Sequence, residues 1–207
     1  MAPRVTGLTG ATLPDAPPVC HECVWWQSRT GARRVDKARW IEKAETEFGP
    51  WGTVYYDGDD RRVLGSMQYG PPRLFPRAYE LPAGPPSDDA VLVTCAYVVD
   101  RTSPWVLQSL FLAAIGDAKD KGAAALETFA YRYPEGESDY ERFLVHRTVF
   151  PSDFLSDFGF QTVRSAGRIE LARLELGGLV PVLEGKRAKV LRVLREVFSP
   201  APVPQRQ

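Results

Sequence analysis

Residues 90–99 read Ala90-Val91-Leu92-Val93-Thr94-Cys95-Ala96-Tyr97-Val98-Val99, an almost uninterrupted apolar run rich in valine. Such a run lacks the alternation of a strand with one wet face, and has the composition of a strand buried on both faces at the centre of a sheet. The sequence after it fits a crossover. Ser103 is a good N-cap and Pro104 suits a first helical position. Leu107, Leu110, Phe111, Ala114 and Ala118 then form an inner stripe towards Lys121, and Gly122 stops the helix. Ala124 to Ala130 is a second buried run. Strand, helix and strand make a right-handed crossover, which sets 90–99 and 124–130 side by side and parallel.

Working outward towards the N-terminus, Val63 to Tyr69 and Gly52 to Tyr56 are β-branched or aromatic runs joined by Asp57-Gly58-Asp59-Asp60, so they predict an antiparallel pair. Before them, Ala38, Ile41, Ala44 and Phe48 recur at helical spacing. Asp36 can cap the start of that helix and Gly49-Pro50 ends it. Towards the C-terminus, Tyr131 to Arg147 has no clear period. A short helix over Ser152 to Phe158 closes on Gly159, followed by strands at Phe160 to Val163 and Arg168 to Leu176. Glu184 to Phe198 is amphipathic, with a stripe of Val190, Leu191, Leu194, Val197 and Phe198 opposite Lys186, Arg187, Lys189, Arg192 and Arg195. Proline-rich segments fall at 13–18, 70–86 and 199–204. The organisation expected is a flexible head over 1–18, one α/β domain over 19–180, and a basic amphipathic helix with its tail over 181–207.

With 207 residues, 44% of them hydrophobic, the chain can bury one sizeable core. Twenty-six basic residues balance 26 acidic ones, so no global field favours nucleic acid or an anionic membrane. The basic face of the last helix reads as a solvated face, and nucleic acid is not an expected partner. Residues 1–18 lack the basic start and apolar run of a signal peptide, and no apolar run approaches the ~20 residues that span a bilayer, so a cytoplasmic, soluble protein with no membrane partner is expected. Three cysteines, an odd number, argue for reduced thiols. Cys20-His21-Glu22-Cys23 has the spacing of a thiolate pair, with His21 as a third donor, but structural zinc wants four ligands and no second pair exists. No metal is expected. A redox role would want a strand-to-helix setting, whereas Cys20 follows a proline-rich segment.

Glu127 lies inside the second buried strand, where a carboxylate is costly unless it faces a cleft or finds a partner. It is the candidate general base, acting directly or through water; the alternative is a side chain that points to solvent or pairs with an arginine. His146 has the same two readings, proton acceptor or structural residue. There is no nucleophile elbow and no phosphate loop of the nucleotide-hydrolase kind.

The order of helix, hairpin, long apolar strand, helix, strand, short helix ending in Gly-Phe and two last strands resembles the GNAT acetyltransferase superfamily over about Asp36 to Leu176. The local matches are Val91 to Val99 running into a helix, and Phe154-Leu155-Ser156-Asp157-Phe158-Gly159-Phe160. Cys20-His21-Glu22-Cys23-Val24-Trp25-Trp26 is similar to the opening of some actinobacterial members. The resemblance implies a mixed α/β sheet with a parallel centre flanked by helices. It also implies acetyl-CoA as co-substrate, held between the two parallel strands by main-chain groups at Tyr97, Val98 and Val99. The amides of Trp105, Val106, Leu107 and Gln108 at the following helix start would receive the pyrophosphate.

The implied reaction moves an acetyl group to an amine of a small molecule or a protein lysine, and a homodimer is compatible with the family. Two positions depart from the pattern. The loop glycines are absent, with Pro104 and Val106 in one register or Val106 and Gln108 in the other, and Leu155 stands where many members carry a tyrosine acid. Tyr131, Tyr133 and Tyr140 are the nearby phenols. The alternative reading is a GNAT-type fold without catalysis, serving as a binding or regulatory module.

Overall fold

The computed structural model describes residues 4–32, 35–58, 62–99, 104–133 and 149–177. These residues form one mixed sheet of eight strands: β1 (Arg4–Gly7), β2 (Gly52–Tyr56), β3 (Val63–Gly70), β4 (Ala90–Val98), β5 (Ala125–Tyr131), β6 (Phe150–Pro151), β7 (Gln161–Ala166) and β8 (Ile169–Glu175). The order across the sheet is β1-β2-β3-β4-β5-β8-β7, with β6 against β5. Among the described residues four α-helices accompany it: α1 (Pro18–Glu22), α2 (Lys37–Glu47), α3 (Pro104–Asp120) and α4 (Ser152–Asp157). The architecture is the expected one, a mixed sheet with a parallel central pair flanked by helices. The expected C-terminal helix at Glu184 to Phe198, the N-cap Ser103, Tyr140 and His146 lie outside the described residues.

Each face of the sheet carries its own core, as a sheet covered on both sides requires. On one face α3 lays Val106, Leu107, Leu110, Phe111, Ala114 and Ala118 over Val91, Val93 and Leu126. Phe111 is the hub there, with ring centroids 4.9 Å from Phe150, 5.6 Å from Phe154, 5.5 Å from Phe158 and 6.0 Å from Phe160. The opposite core is built on Trp26, Trp40, Trp51, Leu74, Phe75, Leu92 and Phe129. Close approach decides one glycine: a Cβ on Gly65 would stand 2.8 Å from the Tyr97 carbonyl oxygen and 2.9 Å from Val106 Cγ1, so α3 can lie this near β3 only over a bare backbone.

Two details of the sequence reading change. Helix α2 is capped as expected, Asp36 accepting from the amides of Ala38 and Arg39, but Ala38 is exposed and the buried ring is Trp40. The N-terminal residues, expected as a head, begin with β1, which pairs antiparallel with β2 from Arg4↔Tyr56 to Gly7↔Thr53. The segment is bound because the outer edge of β2 offers main-chain partners and because Leu8 and Ala16 enter the core.

Candidate functional site

The parallel pair β4 and β5 is in register only at Ala90↔Ala125, Val91↔Leu126, Leu92↔Glu127 and Val93↔Thr128. Beyond Val93 the strands part. A bulge in β4 sits at this point: Cys95 pairs with Gln68 and Val93 with Tyr69, leaving Thr94 as the extra residue. The Thr128 hydroxyl donates to the Val93 carbonyl at 2.9 Å, and the Thr94 hydroxyl donates to the Gln68 carbonyl at 3.1 Å, so the fork is tied on both sides.

Beyond the fork, alternation determines which main-chain groups face the opening. The Val99 amide donates to the Leu64 carbonyl at 2.8 Å, so Val99, Tyr97 and Cys95 point their N–H and C=O towards β3. Ala96 and Val98 therefore present theirs to the parted edge. Of the three residues expected to meet the cofactor, Val98 has its main chain on the parted edge, whereas the main-chain groups of Tyr97 and the Val99 amide face β3. That Ala96 shares this edge follows from the register of the bulge, which is not legible from composition.

At the start of α3, Val106 and Leu107 are fully buried, Gln108 is half-buried and Trp105 is 45% exposed. Trp105 stands edge-on to Tyr55 with centroids 5.6 Å apart. Val106 thus fills the core above Gly65, and only Trp105 of this pair projects outward. The first-turn amides of a helix have no intrahelical acceptor, which makes this end a donor cluster whatever the side chains.

Glu127 is not presented to a cleft. Its carboxylate is fully buried and accepts from the Ser87 amide at 2.8 Å, the Ser87 hydroxyl at 2.7 Å and Arg173 Nη1 at 3.1 Å. Arg173 also reaches Asp89 through two bonds of 3.0 Å, and Glu175. The expected base is thereby an ion-pair partner that anchors the segment leading into β4.

A second buried carboxylate escaped the sequence reading. Glu170, on the α3 face of β8 opposite Ala130, accepts from Ser152 at 2.9 Å, from Thr162 at 3.1 Å and from Arg132. The imperfect alternation of residues 168–176 was its only signal. Leu155 is buried in the phenylalanine cluster and carries no acid, while Tyr131 and Tyr133 lie with centroids 4.8 Å apart at the end of β5.

On the opposite face of the sheet a buried polar chain reaches Thr94 of the bulge. Gln27 donates to Gln68 at 3.2 Å, Thr94 donates to the same Gln68 oxygen at 3.1 Å, and Trp26 stacks on Phe129 at 6.0 Å. Among the described residues no group of three or more His, Cys, Asp or Glu is placed to hold a metal, and no helix is long and apolar enough to cross a membrane. His21, the extra donor beside the cysteines, is engaged with the Ala16 carbonyl at 2.7 Å.

No protein-family model matches the chain, and no curated protein matches it in sequence. Solved structures do resemble it. The PaiA N-acetyltransferase from Thermoplasma acidophilum, in complex with coenzyme A, aligns at a TM-score of 0.47 and 13% identity, over 84% of this chain and 99% of that one. A GCN5-related N-acetyltransferase from Kribbella flavida aligns at 0.45 and 17%, over 84% and 98%. A GNAT family acetyltransferase from Brucella melitensis, in complex with acetyl-CoA, aligns at 0.44 and 14%, over 87% and 92%. Identities and TM-scores of this size do not by themselves place the chain in that family.

Proposed function

We propose that this chain is an acyl-CoA-dependent N-acetyltransferase that moves an acetyl group from acetyl-CoA to an amine of a small molecule or a protein lysine. The observation that carries the reading is the fork between β4 and β5. Two parallel strands tied at Val93 and Thr128 and then parted leave the N–H and C=O of Ala96 and Val98 without a strand partner among the described residues, and an extended amide-bearing arm such as pantetheine supplies both donors and acceptors. The amides of the first turn of α3 follow directly in the chain and suit a diphosphate.

In the reaction the amine nitrogen attacks the thioester carbonyl, the C–S bond breaks, the amine proton leaves to a base and the thiolate is protonated. Ala96 and Val98 would orient the thioester arm, and the Gln27–Gln68–Thr94 chain would line the acceptor side. The proton steps have no assigned residue.

That last point favours a second reading, a fold of this type without catalysis. Leu155 stands at the usual acid position and Glu127 is consumed by Ser87 and Arg173. Titration of the full chain with acetyl-CoA by calorimetry separates the readings from a fold that binds no acyl-CoA. Micromolar binding supports the proposal, release of CoA thiol with an amine mixture establishes transfer, and no heat at millimolar cofactor overturns it.

A further inference from the structure

The fold packs two of the three cysteines, Cys20 and Cys95, against one hydrophobic cluster, with Cys23 at the end of the helix that carries Cys20. Cys20 lies in α1, Cys23 ends that helix, and Cys95 sits on β4 next to the Thr94 bulge. Cys20 and Cys95 pack against the same hydrophobic cluster, and Cys95 lies within electrostatic reach of both Cys20 and Cys23. Lys37 stands among them. Its Nζ donates to the Cys23 carbonyl at 2.8 Å.

The three sulfurs differ in access. Cys23 is exposed and Cys20 and Cys95 are both half-buried, and burial pushes the Cys95 thiol up to about 12, which disfavours its thiolate. Among the described residues this cluster does not make a metal site. What remains is dithiol chemistry at α1.

We propose that Cys20 and Cys23 form a thiol–disulfide exchange site that reacts with low-molecular-weight disulfides, with Cys95 kept behind them as a thiol. Residues three apart on a helix have Cβ atoms about 5–6 Å apart. A disulfide wants about 3.5–4.5 Å, so tightening one turn closes the gap. Helix α1 has only five residues and ends at Cys23 in an extended conformation, so few helical bonds resist that tightening.

The Cys23 thiolate attacks one sulfur of the small disulfide, forming a mixed disulfide and releasing one thiolate. Cys20 then attacks the Cys23 sulfur, closes the Cys20–Cys23 bond and expels the second. The protein loses two hydrogens and two electrons, and the small disulfide is reduced to two thiols. No step uses acyl-CoA, so the site stands or falls independently of acetyl transfer.

The test is incubation of the full-length chain with excess glutathione disulfide, followed by alkylation under denaturing conditions, intact mass and peptide mapping. The parent is expected to lose two hydrogens, carry no glutathione, show a Cys20–Cys23 linkage and keep one alkylatable thiol at Cys95. Cys20→Ser should stop at the first step with one adduct on Cys23, and Cys95→Ser should still close the ring. A parent that keeps three thiols, retains a stable adduct or links Cys95 overturns the proposal. Because the decisive linkage is read on the parent, failure of a variant to fold does not obscure it.

Discussion

The Thr128 hydroxyl donates to the Val93 carbonyl at 2.9 Å, at the last step where β4 and β5 are in register. Both residues are fully buried, so no water can replace that donor. Thr128→Val keeps the shape and leaves the Val93 oxygen with one acceptor site unfilled, which should cost about 1–3 kcal/mol. Chemical denaturation should show a lower midpoint with an unchanged slope, and Thr128→Ser should recover most of the loss.

The ion cluster around Glu127 makes a different prediction from a general base. Glu127→Gln retains the volume but removes the charge facing Arg173, and should destabilise the fold by about 3 kcal/mol, the lower end for a broken buried pair, because Asp89 and Glu175 still hold the guanidinium. Acetyl-CoA affinity of the folded variant should stay within a factor of about two. A lost rate of thiol release with affinity and melting intact would return Glu127 to the role of base.

Gly65 is required by packing alone. Gly65→Ala sets a methyl group against the Tyr97 carbonyl oxygen and Val106 Cγ1, and should lower stability by about 1–3 kcal/mol through overpacking. The double variant Gly65→Ala, Val106→Ala removes Cγ1 and should lose less than the sum of the two singles, a coupling that a double-mutant cycle reads directly.

Asp89 is held below the ordinary carboxylate range, first by its hydrogen bond from Arg173. A group whose pKa is depressed in the folded state adds stability above its unfolded value and loses it as pH falls through the folded one. Stability should therefore decline below about pH 4. Asp89→Asn should flatten that part of the profile, followed by thermal melting at fixed ionic strength.

The opened edge of β4 allows a backbone test of cofactor binding. The Ala96 amide faces the fork, so Ala96→Pro removes a donor there without removing a bond to β3, whereas Cys95→Pro breaks the ladder at Gln68. Ala96→Pro should fold and bind acetyl-CoA about tenfold more weakly, as expected for one lost bond of ~1.4 kcal/mol. Unchanged affinity in the folded variant would move the cofactor away from the fork.

Much of the frame was legible because its signals are local. The valine run at 90–99, the stripe of α3, the 52–69 hairpin and Gly159 after α4 each follow from residues within one element. What escaped depends on partners distant in sequence. β1 is a strand only because β2 offers an edge, and the bulge at Thr94 is a matter of register that decides whether Ala96 or Tyr97 faces the opening. The buried carboxylates depend most on such partners. Glu127 was correctly seen as a costly buried carboxylate, but Arg173 and Ser87, which satisfy it, come from β8 and from the segment before β4. Glu170 gave no signal beyond an irregular alternation.

The stacking of Trp26 on Phe129 and the pairing of β1 with β2 bear on how the protein is made. Trp26 emerges from the ribosome long before the strand that carries Phe129, and β1 must wait for β2. Until then the aromatic N-terminal segment is exposed to solvent and to other chains. Synthesis slowed between α1 and β5 would prolong that exposure, which predicts that chaperone dependence and yield respond to translation rate through this segment more than through the hairpin or α3.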